Sequence, residues 1–263
     1  MSTLIKAEKE SSEYRQEVTR VQHQRETSQG KRWVSVFAIL VSVVPMYAAL
    51  IIYHLISNQR TNSMAGFFGY LTINGSISIT VIYLLQRTLI GERFWDLNLK
   101  SAKWWQDTLS VIALVLTTLV VLPQLTGFLT AMLPREDMSG LGDLLHGLAG
   151  NPLLAALFIG PVLLIGVGFE EVTRVFFLKR AWVAWPAPII QWVNVIISAV
   201  VFGLAHLYQG AAGVVGTGIY GLVMAIYYRY IGRLVPMVVA HYLHDAIQFV
   251  MLIILIRNGL IQL

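Results

Sequence analysis

Seven apolar runs between residues 33 and 256 constrain this chain more than any other feature of its sequence. A helix that crosses a bilayer needs about 20 consecutive, mainly apolar residues, and each run has roughly that length. The runs cover residues 33–57, 64–88, 108–133, 152–178, 188–209, 213–231 and 234–256. They predict an all-α fold: a polytopic transmembrane helical bundle with seven membrane-spanning helices, and eight as the alternative.

The composition agrees with a multi-pass integral membrane protein. Hydrophobic residues make up 56% and charged residues 13% of the 263 residues, and the mean hydropathy is +0.67, whereas soluble domains carry about 25% charged residues. The chain has no cysteine, which excludes disulfides and thiolate chemistry. Its net charge of +5 does not require nucleic acid, because Lys and Arg collect in the cytoplasmic loops of membrane proteins. We expect membrane lipid as a partner and no nucleic acid.

The basic residues also predict the orientation and the division of the chain. With the N-terminus in the cytoplasm, 15 of the 19 Lys and Arg residues lie on the cytoplasmic side, including Arg87 and Arg229 at the cytoplasmic ends of their spans. Three lie outside, and Arg174 lies deep within a span. The opposite orientation would reverse this ratio, which contradicts the positive-inside rule. We interpret residues 1–32 as a polar cytoplasmic tail and residues 33–263 as the transmembrane domain. We expect segment 181–193 to lie partly along the membrane interface, and residues 134–150 to form an external loop.

The fourth span carries a cluster of charges. The run GVGFEEVTRVFFLKR, residues 166–180, places Glu170, Glu171 and Arg174 in an otherwise apolar segment. An ionised side chain in the bilayer interior costs roughly 2.5–3.5 kcal/mol on insertion scales, so such residues need a reason. Arg174 follows Glu170 by four residues and Glu171 by three, and it can therefore pair with either on a helix. One carboxylate is left over, which a purely structural ion pair does not need.

The other deeply placed ionisable residues fall in the fifth and seventh spans. His206 lies in the run VVFGLAHLYQG, and His241, His244 and Asp245 lie in the run RLVPMVVAHYLHDAIQF. His241 and Asp245 are four residues apart and share one helix face. A transport path would spread such residues over more spans, whereas a catalytic site concentrates them. We therefore predict an enzyme; the alternative is a non-catalytic membrane protein (immunity, scaffold or transporter-like) that uses the cluster structurally.

Glutamate and histidine together suit the hydrolysis of a peptide bond. A carboxylate can act as general base on a water, and an imidazole can hold that water or pass the proton to the leaving amine. A second histidine together with an aspartate can donate hydrogen bonds to the developing oxyanion. The same residue types can instead hold a divalent metal such as zinc, for which Glu170, His206 and His241 are the candidate ligands. The sequence leaves both mechanisms open.

Three ordered motifs, EExxR at Glu170, FxxxH at His206 and HxxxD at His241, resemble the signature of a known protease family. It is the CAAX prenyl endopeptidase type II and bacteriocin-processing (CPBP, Abi) family of intramembrane proteases. The resemblance covers residues 166–249. It implies an intramembrane endopeptidase, either a glutamate protease or a metalloprotease, with its protease-like core at 152–256. The implied partner is a peptide or protein substrate, with or without a lipid anchor.

The resemblance also implies a role for each residue. Glu170 corresponds to the glutamate that activates the attacking water, with His206 as its partner. His241 and Asp245 together would stabilise the oxyanion.

Glu171 and Arg174 correspond to supporting groups that orient the base, with one departure from the family pattern. The family has three residues between the second glutamate and the arginine, whereas here there are two, Val172 and Thr173. The difference turns Arg174 by about 100° around the helix. It leaves open which glutamate pairs with Arg174.

The depths of these residues set a further expectation. At about 1.5 Å per residue from the predicted cytoplasmic span ends, Glu170 and His241 lie roughly 10–14 Å deep and His206 roughly 27 Å deep. For them to meet, the fifth span must begin later, tilt or break. Gly203 is a position at which a helix can bend.

Overall fold

The computed structural model describes residues 28–44, 47, 64–98, 103–133 and 139–261. All regular elements in these ranges are helical, and the predicted all-α fold class is confirmed. The helices are residues 28–44 (α1), Met64–Leu84 (α2), Trp104–Leu116 (α3), Leu122–Thr130 (α4), Ser139–Gly150 (α5), Pro152–Leu157 (α6), Leu163–Ala184 (α7), Pro188–Leu204 (α8), Gly210–Ile231 (α9) and Leu234–Arg257 (α10). Wider π-helical turns continue α2 at Leu85–Ile90, join α3 to α4 at Thr117–Val121 and join α6 to α7 at Phe158–Val162.

Several helical runs are long and apolar enough to cross a membrane. Within the described residues there are five: Leu71–Ile90, Trp104–Phe128, Pro152–Ala184, Gly210–Ile231 and Leu234–Arg257. The predicted fifth span corresponds to α8, which is apolar but has only 17 residues. Residues 45–46 and 48–57 of the predicted first span lie outside the described residues, and α1 begins at residue 28, inside the predicted tail. The chain is a multi-pass integral membrane protein, and the number of seven crossings stays a prediction.

The segment between the third and fourth predicted spans differs from the sequence analysis. Residues 134–150 were expected to form an external loop, but Ser139–Gly150 is helix α5. The helix has 12 residues, which is too short for a crossing. Arg257 in the last turn of α10 donates a hydrogen bond to the Ala149 carbonyl at 2.6 Å, so α5 is tied to the end of the bundle.

The run Pro152–Ala184 accommodates an internal proline. Asn151 caps its start by accepting a hydrogen bond from the Leu154 backbone N–H at 3.1 Å, and Pro152 occupies a first-turn position where no N–H is needed. Pro161 lies inside the π-helical turn Phe158–Val162. Proline cannot donate the usual helical hydrogen bond, and a wider turn takes up the defect without ending the helix.

Helix α7 extends beyond the predicted end of the fourth span. It continues from residue 178 through Ala184, and α8 begins at Pro188. Most of segment 181–193 therefore belongs to the end of α7 and the start of α8. Its partly interfacial position stays a prediction. Lys179 and Arg180, which directly follow the predicted end of the fourth span, share one carboxylate partner.

That carboxylate is Glu92, in the turn after α2. Its side chain accepts hydrogen bonds from Lys179 Nζ at 2.5 Å and from Arg180 Nη2 at 2.9 Å, and Arg180 is buried. Partial burial raises the pKa of Glu92, but the Lys179 hydrogen bond and the Arg180 charge together bring that pKa below its usual value of 4.5. The three residues, which we call the Glu92 cluster, join the α2 end of the bundle to α7.

Helices α8 and α9 approach each other very closely. A Cβ on Gly203 of α8 would lie 2.5 Å from the Val214 carbonyl oxygen and 3.1 Å from Gly218 Cα of α9. A Cβ on Gly221 would meet the Phe202 ring at 2.9 Å. Small residues allow such contact between membrane helices. Gly203 is therefore a packing position, not a bend.

The chain turns sharply at the end of α8, and this turn carries His206. Helix α8 ends at Leu204, residues 205–206 form a turn and Leu207–Gln209 a single 3₁₀ turn before α9 begins at Gly210. The close packing of α8 on α9 fixes this turn against α7 and α10. The fold thereby brings the motif-bearing parts of the sequence together.

Candidate active site

On α7, Arg174 forms an ion pair with Glu171. Arg174 Nη1 lies 2.5 Å from Glu171 Oε1, and both side chains are almost fully buried. The Arg174 guanidinium also lies over the Phe202 ring, 4.2 Å from its centroid, which is a favourable cation–π arrangement. The question left open by the shortened EExxR spacing is thus answered for the described residues: Arg174 pairs with Glu171.

His241 of α10 is oriented by the same carboxylate. Its Nδ1 lies 2.8 Å from Glu171 Oε1. An ionised carboxylate only accepts hydrogen bonds, so Nδ1 carries the proton of this bond and Nε2 points the other way. His241 is buried, with 4% of its surface exposed. Glu171 therefore holds both Arg174 and His241 in place.

Glu170 faces two imidazoles instead of the guanidinium. His206 Nε2 lies 3.9 Å from Glu170 Oε1, and His241 Nε2 lies 3.7 Å from Glu170 Oε2. About 23% of the Glu170 side chain is exposed, whereas Glu171 is fully buried. The two nitrogens lie just beyond direct hydrogen-bond distance, as is common in enzymes without substrate. The two adjacent glutamates thus have different surroundings.

The hydrogen bond of His206 determines its tautomer. His206 Nδ1 lies 2.9 Å from the Phe202 carbonyl oxygen, which can only accept, so Nδ1 donates. In the neutral imidazole Nε2 then carries the lone pair. This atom is the one directed at Glu170, and it can accept a hydrogen bond from a water placed between them.

Asp245 completes the cluster on α10. Its Oδ2 lies 3.6 Å from His241 Nε2, and 28% of its side chain is exposed. It follows His241 by one helical turn, as the sequence analysis predicted from their spacing. All six predicted site residues, Glu170, Glu171, Arg174, His206, His241 and Asp245, are therefore connected through contacts of 3.9 Å or less.

The structure brings Glu170, His206 and His241 together, although the depths estimated from the predicted spans differed. Because α7 continues to Ala184, Glu170 lies 14 residues from the end of its helix, or about 21 Å at 1.5 Å per residue. The shorter predicted span had placed it less deeply. The start of α10 is also covered: the Leu234 N–H donates to Asn98 Oδ1 at 2.7 Å, so counting from this residue understates the depth of His241.

The metal-ligand set predicted from the sequence finds no support in the side-chain arrangement. No group of three His, Cys, Asp or Glu side chains within the described ranges is arranged to hold a metal ion. We therefore derive no step through a metal.

Two aromatic residues contact the site although the sequence analysis assigned them no role. Phe202 holds the His206 ring, lies under Arg174 and packs on Gly221; its place in the FxxxH motif was the available signal. Tyr220 of α9 packs against His241, with ring centroids 4.7 Å apart. Nothing in the local sequence distinguishes Tyr220 from the other tyrosines of α9.

The fold and this cluster define a polytopic helical membrane protein with a buried carboxylate–imidazole site. A family model agrees: residues 151–247 match the Type II CAAX prenyl endopeptidase Rce1-like family. The matched segment covers less than half of the chain and contains all six predicted site residues. Comparison with curated proteins and with solved structures gives no match.

The match confirms the family resemblance predicted from the three motifs. It supports a CAAX-type intramembrane protease that acts on a peptide or protein at the membrane. It gives no support for the bacteriocin-processing (Abi) part of that resemblance, or for a metalloprotease.

Proposed function

We propose that this protein is an intramembrane endopeptidase for CAAX-type substrates and that Glu170 activates the attacking water. The observation that supports the proposal is that the two adjacent glutamates have different contacts. Glu171 is engaged by Arg174 and His241 at 2.5 and 2.8 Å. Glu170 is partly exposed and faces two imidazole nitrogens at 3.7 and 3.9 Å, as a general base on a water requires.

The reaction follows from the hydrogen-bonding state of each group. A water held by His206 Nε2 and Glu170 gives its proton to the Glu170 carboxylate as its oxygen attacks the scissile carbonyl carbon. The carbonyl oxygen becomes an oxyanion, which His241 Nε2–H stabilises. When the C–N bond breaks, the proton passes from Glu170 or His206 to the leaving amine. The products are a carboxylic acid and an amine.

Asp245 and Glu171 would then act through His241. Glu171 accepts the Nδ1 hydrogen bond, and Asp245 lies 3.6 Å from Nε2. Because Nδ1 already donates to Glu171, a donor at Nε2 as well requires the positively charged imidazole, which donates from both nitrogens. In this form His241 supplies the proton donor that an oxyanion needs.

The substrate class follows from the family match and from the place of the site. The cluster lies within the membrane-spanning helices, so a substrate has to reach it from the bilayer or its surface. A peptide ending in Cys-a-a-X with a prenyl group on the cysteine meets this condition. The basic residues predict that the N-terminus and the Glu92 cluster lie on the cytoplasmic side.

The proposal is tested with the purified full-length protein in lipid vesicles and an internally quenched, farnesylated CAAX peptide. We expect a single cut that mass spectrometry assigns to the bond after the prenylated cysteine, with one ¹⁸O from labelled water in the new carboxyl group. The matched peptide without the lipid should be cleaved less efficiently. Absence of cleavage of both peptides would contradict the proposed function.

A chelator tests the role of metal separately. Because the proposed chemistry needs no metal ligand, we expect 1,10-phenanthroline and EDTA to leave kcat unchanged. Loss of activity that zinc restores would contradict the glutamate mechanism.

A further inference from the structure

The proposed mechanism leaves the oxyanion with one donor too few. Oxyanion holes act through preorganised donors aimed at the developing charge, and many contain two. In the predicted pair of His241 and Asp245, only the imidazole donates, since an ionised carboxylate accepts hydrogen bonds only. The site therefore needs a second donor near His241.

Tyr220 of α9 packs beside His241. Its ring centroid is 4.7 Å from that of His241 and 4.9 Å from that of His244, and the ring also stacks on Phe202 at 6.3 Å. The ring thus lies against the face of α10 that carries His241 and His244.

The Tyr220 hydroxyl has no hydrogen-bond partner among the described residues, although only 5% of the residue is exposed. A buried donor without a partner costs about 1–3 kcal/mol, and most such groups in proteins are satisfied. Tyr228, two turns later on α9, follows the rule: its hydroxyl donates to the Leu97 carbonyl at 2.6 Å. Tyr220 differs from Tyr228 in that its ring lies against His241, so a substrate bound at this site can supply the missing partner.

We propose that the Tyr220 O–H donates a hydrogen bond to the oxyanion beside His241 Nε2–H, as a second oxyanion donor of this site. This inference rests on the proposed function. No bond to Tyr220 is made or broken; the phenol strengthens its hydrogen bond as negative charge grows on the carbonyl oxygen. The hydroxyl gains its partner only with substrate, so its role is kinetic and not structural.

Tyr220→Phe tests the proposal, with Tyr228→Phe as a matched change on the same helix. With the farnesylated CAAX peptide, Tyr220→Phe should lower kcat by about 10²-fold, as for other oxyanion donors, with KM nearly unchanged. Its thermal midpoint should equal or exceed that of the wild type, because an unpaired hydroxyl is removed. Tyr228→Phe should show the reverse: a lower midpoint and an unchanged kcat.

Replacement of Tyr220 by 3-fluorotyrosine keeps the hydroxyl and should restore kcat to within a few-fold of the wild type. A Tyr220→Phe kcat equal to the wild type, or a fluorotyrosine kcat as low as that of phenylalanine, would overturn the proposal. Glu170→Gln distinguishes a failure of the proposed Tyr220 role from a failure of the proposed Glu170 role. If it abolishes cleavage while Tyr220→Phe cleaves at the wild-type rate, only the Tyr220 role is wrong. If it cleaves at the wild-type rate while Tyr220→Phe is impaired, the proposed role of Glu170 is wrong.

Discussion

At the residue scale, one arginine gives two neighbouring glutamates different contacts. Arg174 and His241 both bind Glu171 Oε1, and this leaves Glu170 facing His206. The sequence showed that one carboxylate was surplus, because it contains two glutamates and one arginine in this span. It could not show which one, since helix spacing allows both pairs and His241 comes from a different helix.

Glu171→Gln should therefore lower stability, in addition to any effect on kcat through the His241 contact. The substitution removes the charge that compensates buried Arg174, and breaking a buried ion pair costs on the order of 3–5 kcal/mol. Unfolding in mixed micelles, followed by denaturant titration, measures the loss. A Glu171→Gln protein as stable as the wild type would show that the Arg174 contact contributes nothing to the fold.

At the element scale, the long-range contacts of α7 and α8 decide where the helices end. The apolar periodicity predicted both helices, but α7 continues to Ala184, beyond the predicted end of the fourth span at residue 178. Lys179 and Arg180 directly follow that predicted end. Their partner Glu92 is 87 and 88 residues away. No local pattern reveals such a partner.

The Glu92 cluster predicts a pH dependence. A carboxyl group with a lowered pKa in the folded state stabilises the protein above its unfolded pKa, and this contribution is lost as pH falls through the folded pKa. The difference in thermal midpoint between wild type and Glu92→Gln should be largest near neutral pH and should shrink below pH 4.5, the usual pKa of the group. Arg93→Ala, at an exposed pair with Asp96, is the control with little effect. A constant difference across this range would contradict the assignment.

The contact between α8 and α9 predicts a contrast between two glycines. Gly203→Ala puts a methyl group against the Val214 carbonyl and should cost about 1–3 kcal/mol, as overpacking does. Gly216→Ala has open space at the Cβ position and should be neutral or stabilising by up to about 1 kcal/mol. Thermal midpoints in detergent measure both. Equal effects of the two substitutions would show that this helix contact is not tight.

At the scale of the whole molecule, charge asymmetry predicts the orientation while packing creates the site. The Lys and Arg distribution gives a topology from the sequence alone. The meeting of α7, α8 and α10 at the cluster depends on α8 being short and on the turn at His206, neither of which the hydropathy pattern contains. The sequence therefore predicted which side chains lie close together better than it predicted the path of the chain between them.

The absence of cysteine makes the orientation directly measurable. Lys103→Cys and Asp143→Cys each introduce a single thiol at an exposed position. With the N-terminus in the cytoplasm, a membrane-impermeant maleimide should label Asp143→Cys in intact cells and Lys103→Cys only after permeabilisation. Labelling of both from the same side would contradict the predicted topology.

The central claim is that Glu170, and not Glu171, activates the water. Its most direct test is the kcat of Glu170→Gln on the farnesylated CAAX peptide, measured together with the thermal midpoint of the same preparation. The substitution keeps size and hydrogen bonding but removes the base. We expect kcat to fall by at least the ~10²–10⁴-fold typical of general acid–base groups, with the midpoint nearly unchanged. A Glu170→Gln protein that cleaves at the wild-type rate, or one that is merely unstable while Glu171→Gln abolishes cleavage without loss of stability, would contradict the account.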